Sequence, residues 1–181
     1  MTLLILGLAL WFAAHLFKRL APDARAQMGD KAKGPIALIL VAAVVLMVFG
    51  YRAAEGAIYW GRHPALTGIN NILMFLAFYL YAASGSKTWI TTKIRHPQLT
   101  AIKIWAVSHL LVNGDVPSFV LFGGLLIWAV LEVILINRAQ PVWTRNPPAP
   151  ANKEIVAVVA ALVVTIIVML IHNWLGVQPW G

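Results

Sequence analysis

Five ionisable side chains of this chain fall inside long apolar stretches: His15, Lys103, His109, Glu132 and His172. Placing such a group in lipid costs several kcal/mol on insertion scales, so each is a candidate functional residue. Asn70, Asn71 and Asn113 are neutral polar residues in similar surroundings. The chain has no cysteine, which excludes thiolate ligands, disulfides and cysteine nucleophiles and leaves histidine, carboxylate, amide and lysine chemistry.

One stretch holds several polar residues at helical spacing. Trp105, His109 and Asn113 are four residues apart and share one helix face, whereas His96 and Lys103, seven apart, share another. This stretch is therefore predicted to be a helix with two polar faces, and His109 is its deepest histidine.

The buried histidines have several uses that the sequence alone leaves open. A neutral imidazole in an apolar site can ligate a haem iron or another metal, carry a proton, or form a hydrogen bond between helices. His15 and His109 share these alternatives, although His15 is also one turn from Lys18 and could reach interfacial water. His172 stands beside Asn173 and Trp174 and is interpreted as an interfacial residue.

Lys103 and Glu132 are the two oppositely charged side chains within apolar segments. By the rise of an α-helix, Lys103 is about 10 Å into its helix, and Glu132 is at a comparable depth in the next one. A short connection makes these helices antiparallel neighbours, so we predict that Lys103 and Glu132 form a buried ion pair, directly or through water.

The elements that carry these residues are membrane helices. Hydrophobic residues make up 61% of the 181 positions and charged residues 11%, far from the balance of a soluble domain. Only helices and closed barrels satisfy the backbone in lipid. We predict a single all-α domain over residues 1–181, a polytopic membrane bundle of about six transmembrane helices. The apolar segments are Leu3–Phe17, Pro35–Tyr51, Leu66–Ala83, Leu99–Val112, Pro117–Ile136 and Ile155–Leu175.

Lysine and arginine are divided unevenly between the two sides of such a bundle. Five follow the first segment, three the third and three the fifth, whereas Arg52 and Arg62 stand on the opposite side. This bias predicts a multi-pass protein of the bacterial inner (cytoplasmic) membrane with both termini periplasmic. The net charge of +8 then reflects topology, and the predicted partner is the lipid bilayer rather than nucleic acid.

The motif Arg-His-Pro-x-Leu-Thr-x-Ile occurs twice, beginning at Arg62 and at Arg95. Proline is tolerated in the first turn of a helix, because its missing N–H would have no partner there. Each copy therefore predicts the start of a helix that enters the membrane. Only the second copy continues into Trp105 and His109.

The stretch from Leu73 to Val133 resembles the NnrU family of integral membrane proteins. The residues that carry the resemblance are Arg95-His96-Pro97, Trp105, His109-Leu110-Leu111, Asn113-Gly114-Asp115, Leu121-Phe122-Gly123 and Trp128-Ala129.

This resemblance implies a function and a cofactor. Bacterial members are associated with nitrite and nitric oxide metabolism in denitrification, and the plant relative 15-cis-zeta-carotene isomerase is a haem b membrane enzyme. The implied cofactor is haem b, and an implied activity is the haem-dependent cis-trans isomerisation of a lipid-soluble polyene, a hydrophobic substrate. The implied axial ligands of the haem iron are His15 and His109, with Asn113 and Asp115 in the cofactor site.

Helix geometry raises an objection to that ligand pair. Counted along the helices, His15 is about 5 Å inside the cytoplasmic edge, whereas His109 is about 20 Å inside it. A tilted first helix or a later start of the fourth would bring the rings together. Otherwise His96 or a nonprotein ligand replaces one of them.

Two other functions fit the sequence. The first is a noncatalytic accessory or assembly subunit of a larger membrane complex, such as a respiratory or nitric oxide reducing enzyme. The second is a membrane methyltransferase, since Arg-His-Pro also resembles a cofactor-binding stretch of the isoprenylcysteine and phospholipid methyltransferases. The downstream part of that pattern is incomplete here, because the fifth segment ends with one acid, Glu132, before Asn137-Arg138.

Overall fold

The computed structural model describes residues 1–145, 147 and 149–180 of the chain. It is an all-α bundle, as predicted, with one small β-sheet that the sequence did not indicate. The helices are α1 (Thr2–Leu20), α2 (Pro22–Gln27), α3 (Lys33–Arg52), α4 (Pro64–Ser86), α5 (Pro97–Val112), α6 (Val116–Ser118), α7 (Gly124–Ala139) and α8 (Ala151–Trp174). The strands are β1 (Ile58–Trp60) and β2 (Gly114–Asp115), which pair antiparallel.

Five stretches of the described chain are long and apolar enough to cross a membrane, which indicates a multi-pass membrane protein. They are Thr2–Leu20, Gly29–Arg52, Pro64–Ser86, Val116–Ala139 and Ala151–Trp174. The fourth predicted segment differs: it forms α5, which has 16 residues. At 1.5 Å per residue α5 is about 24 Å long, shorter than a hydrocarbon core of about 30 Å.

The Asn-Gly-Asp motif ends α5 and turns the chain into the next helix. Asn113 leaves the helical conformation, and its side-chain amide donates to the carbonyl of His109 at 2.9 Å. Gly114 then pairs with Trp60 across the sheet, where a Cβ atom on Gly114 would overlap the indole ring. Asp115 caps α6 by accepting from the backbone N–H of Ser118 at 2.8 Å and from its hydroxyl at 2.9 Å.

A wider, π-type turn joins α6 to α7 and covers Phe119–Gly123. Turns of this kind insert one extra residue into a helix and are frequent at functional sites. Here the turn places the ring of Phe122 in the interior, where it contacts Tyr51 at 5.9 Å between ring centroids.

The helices form two groups that α7 joins. In the first group α1 packs along α3, and the helices approach closely because a Cβ atom on Gly50 would overlap the backbone of Leu4. In the second group α4 packs against both α5 and α8. The main buried cluster lies between α1, α3 and α7 and consists of Leu4, Leu8, Met47, Leu125, Trp128 and Ala129.

Both Arg-His-Pro copies begin helices, as predicted. Pro64 and Pro97 are the first residues of α4 and α5, and His63 caps α4 by accepting from the backbone N–H of Ala65 at 3.3 Å. Arg95 donates to backbone carbonyls of Gln140 and Pro141 after the end of α7. The second copy thus fastens the start of α5 to the end of α7.

Candidate functional site

A cavity of about 660 Å³ lies between the two helix groups. Its volume is within the range of small-molecule and cofactor sites. Most of its wall is apolar, and the polar and charged side chains are concentrated at one end of the helices. The lining residues belong to α1, α2, α3, α4, α5 and α7, with His15, Trp11 and Trp128 on one side and Leu99, Ile102 and Tyr81 on the other.

His15 is the histidine that lines this cavity. Its Nδ1 atom is 3.1 Å from the carbonyl oxygen of Trp11, one turn earlier on α1. Because a carbonyl can only accept, Nδ1 carries the proton and donates, which leaves a lone pair on Nε2. A second bond that fixes the tautomer in this way is typical of histidines that bind metals.

Two tryptophans hold the His15 ring. The ring centroid is 4.2 Å from that of Trp11 and 4.7 Å from that of Trp128, and the two indoles meet edge to face at 5.3 Å. The Nε1 atoms of both tryptophans are buried and have no hydrogen-bond acceptor. Because neither Nε1 atom is exposed at the cavity surface, the two indoles contribute ring surface to the site rather than hydrogen-bond donors.

Glu132 pairs with Arg19, so the predicted direct ion pair between Glu132 and Lys103 is wrong. The Arg19 Nε atom is 3.3 Å from Oε2 of Glu132, whose side chain is only 7% exposed. The cause is helix rotation: Ile102 faces the cavity, and Lys103, one residue later, is turned about 100° away from it. The prediction that α5 and α7 are neighbouring helices is confirmed. The partner of Glu132, however, comes from α1.

The mouth of the cavity is basic. Lys18, Arg19, Arg25 and Lys33 line it, together with the single acid Glu132. Lys33 pairs with Asp30 at 2.8 Å, and Arg25 donates to the carbonyl of Gly29 at 2.8 Å. Among the described residues, Lys18 and Arg25 have no carboxylate within 4.0 Å, so they leave positive charge at the mouth.

His109 lies apart from this cavity. Its ring stacks on Phe122 at 4.6 Å between centroids and lies 5.0 Å from Trp105. Its Nδ1 atom donates to the Trp105 carbonyl at 2.9 Å, which leaves Nε2 with a lone pair, as in His15. The structure does not bring His15 and His109 to one cavity.

The other predicted site residues form hydrogen bonds that shape α5 and its ends. Asn113 and Asp115 bond to backbone and side-chain groups at the α5–α6 turn, as described above. His96 bonds through Nε2 to Oδ1 of Asn137 on α7 at 2.8 Å. None of these three side chains lines the cavity.

The sequence does contain a feature that marks the cavity, a tryptophan four residues before a histidine in the first helix. Trp11 and His15 stand four residues apart, as do Trp105 and His109, and each histidine donates to the carbonyl of its tryptophan. The basic residues Lys18, Arg19 and Arg25 after the first apolar segment, which predict topology, also line the cavity. Among the described residues, no three histidine, aspartate or glutamate side chains cluster as a metal-ion site.

Comparison with known proteins identifies the family. Neither curated proteins nor solved structures gave a match to this chain. The family model described as NnrU protein matches residues 3–179, nearly the whole chain. The chain therefore belongs to the NnrU family.

Proposed function

We propose that this protein is a haem b protein of the membrane, in which His15 ligates the iron inside the cavity between α1, α3, α5 and α7. The observation that supports this most is the His15 ring itself. It lines a cavity of about 660 Å³ and its Nδ1–H is committed to the Trp11 carbonyl, so that Nε2 keeps a lone pair for a metal.

The charges at the cavity mouth fit the same cofactor. Haem b is an apolar macrocycle with two carboxylates on one edge. The cavity has apolar walls, including Ile36, Leu40 and Leu99, and its mouth carries Lys18 and Arg25, two cations without carboxylate partners in the described structure. Charge-assisted hydrogen bonds from these two side chains suit the two carboxylates.

The surrounding residues have supporting roles in this proposal. Trp11 and Trp128 fix the orientation of the His15 ring by contact on two sides. Arg19 and Glu132 satisfy each other, which prevents the carboxylate of Glu132 from adding unpaired negative charge beside the site. When bound, haem would supply one-electron chemistry or the binding of a small ligand such as nitric oxide.

Ligation by the pair His15 and His109 has less support than ligation by His15 alone. The cavity is lined by one histidine, and His109 is stacked on Phe122 in a separate aromatic cluster. We therefore propose that His15, without His109, would hold the haem iron. The bound haem would then serve in nitrite or nitric oxide metabolism or in the isomerisation of a lipid-soluble polyene.

The experiment that tests the cofactor is a haem titration. Protein purified in detergent and supplemented with haemin should develop a Soret band that saturates at one haem per chain. Haemin titrated into the same detergent without protein supplies the background. Absence of a saturable band in folded protein would contradict the proposal.

A further inference from the structure

The cavity is open at its side as well as at its mouth. α3 packs along α1, whereas α4 packs against α5 and α8, and the cavity occupies the space between these groups. Tyr81 of α4 lines the cavity and yet has 54% of its surface exposed, and Ala37 of α3 on the facing wall is also exposed. Because α3 and α4 are membrane-spanning stretches, the surface next to this gap faces lipid.

The interior of the cavity is amphiphilic. Ile36, Leu40, Leu99 and Ile102 supply an apolar wall that runs along the membrane helices. The unpaired cations are confined to one end, where α1 stops at Leu20 and α2 begins at Pro22. A molecule with an anionic head and a long apolar chain matches this division, whereas a soluble anion would use only the charged end.

We propose that the haem-free cavity takes up an anionic phospholipid from the bilayer, through the gap between α3 and α4. The headgroup phosphate binds at Lys18 and Arg25, and one acyl chain lies along the wall that includes Leu40 and Ile102. Basic pockets between membrane helices bind anionic headgroups in this way. The uptake depends on the shape and charge of the cavity and does not depend on haem being the resident cofactor.

The expected preference for an anionic headgroup follows from the two cations. One basic side chain near a membrane surface favours an anionic lipid by about fivefold, so two favour it by about 25-fold over a zwitterionic lipid. Arg19 adds less, because its guanidinium is already bonded to Glu132.

The test uses tryptophan quenching in haem-free protein reconstituted into nanodiscs. Lipids brominated on the acyl chains quench indole fluorescence on contact, and the contribution of Trp11 is the difference between wild type and Trp11→Phe. We expect brominated phosphatidylglycerol to quench Trp11 at a much lower mole fraction than brominated phosphatidylcholine does. Equal quenching by the two lipids would overturn the proposal.

Two sets of variants separate the headgroup site from the entry route. Lys18→Gln/Arg25→Gln should remove the preference for phosphatidylglycerol, whereas Lys87→Gln/Lys93→Gln, which changes two basic residues outside the cavity lining, should keep it. Ala37→Phe, at an exposed position, should block the gap without adding an indole, and should lower the quenching of Trp11 by both lipids. Loss of the preference in the control pair would count against this site, and unchanged quenching of Trp11 in Ala37→Phe would count against this route.

The lipid-binding test can fail or succeed independently of the haem titration. A lipid preference that depends on Lys18 and Arg25 without any saturable Soret band would leave the inference standing and remove haem as the cofactor. A saturable Soret band without a lipid preference would support haem as the cofactor and overturn the lipid inference. If both hold, added phosphatidylglycerol should raise the haemin concentration needed to saturate the Soret band, since both ligands need the same cations.

Discussion

At the scale of single residues, the histidines of this protein share one arrangement but differ in surroundings. His15, His109 and His172 each donate Nδ1–H to the carbonyl four residues earlier, at 3.1, 2.9 and 2.8 Å. This hydrogen bond therefore does not by itself identify which histidine binds a metal. His15 differs because its ring lines a cavity with a basic mouth, and this makes it the strongest candidate for metal ligation.

The pair Arg19 and Glu132 gives a prediction at the same scale. Arg19→Leu should lower the free energy of unfolding by about 1–3 kcal/mol, because it leaves the buried Glu132 carboxylate without its charged donor. The double variant Arg19→Leu/Glu132→Leu should recover part of this loss, since no unpaired charge remains. Thermal unfolding in a single detergent measures both effects.

Lys103→Leu is the control for this prediction. The sequence had paired Lys103 with Glu132, whereas the structure pairs Glu132 with Arg19. We expect Lys103→Leu to change stability much less than Arg19→Leu does. A larger loss in Lys103→Leu would show that the predicted pair was the real one.

At the scale of elements, α5 and its exit turn position most of the motif residues. Asn113, Gly114 and Asp115 end α5, pair with β1 and begin α6, so the motif that carries the family resemblance builds a turn beside His109. The turn is tight because the ring of Trp60 lies directly on Gly114, and the Trp60 indole N–H donates to the carbonyl of Leu110 at 3.1 Å.

Gly114→Ala tests this packing. A methyl group at Gly114 would overlap the Trp60 ring, so we expect a loss of about 1–3 kcal/mol in stability. Gly123→Ala is the matched control, because a Cβ atom there meets open space and the residue is helical. Thermal unfolding that shows equal stability for the two variants would contradict the observed contact.

The sequence predicted elements better than it predicted contacts between them. Pro64 and Pro97 marked two helix starts, because a proline in the first turn is a local signal. The pairing of Glu132 could not be read in the same way, since it depends on how α1 and α5 are rotated about α7. The end of α5 at Val112 was predicted correctly. The contact of Gly114 with Trp60 beyond that end was not predicted, because it joins residues far apart in sequence.

At the scale of the whole molecule, two helix groups enclose the cavity and α7 joins them. The apolar surfaces of α3 and α8 are largely exposed, as expected of helices that contact lipid. The basic residues after α1 that predict a cytoplasmic side are also the residues that line the cavity mouth. We therefore propose two uses for their positive charge, in membrane orientation and in the binding of an anionic ligand.

Cysteine labelling in whole cells tests the proposed orientation. The chain has no cysteine of its own, so single substitutions report without background. With the N-terminus periplasmic, Gly61→Cys should react with a membrane-impermeant maleimide, whereas Lys87→Cys should react only after the cells are broken. Reaction of both positions in intact cells, or of Lys87→Cys alone, would contradict the proposed orientation.

The absorption spectrum of His15→Ala tests the central claim most directly. Titrated with haemin beside wild type, His109→Ala and His172→Ala, the His15→Ala variant should lose the saturable Soret band, and free imidazole should restore it by occupying the vacated ligand position. The two other histidine variants should keep the band, because neither side chain lines the cavity. A normal band in folded His15→Ala, or its loss in His109→Ala alone, would contradict ligation of haem by His15.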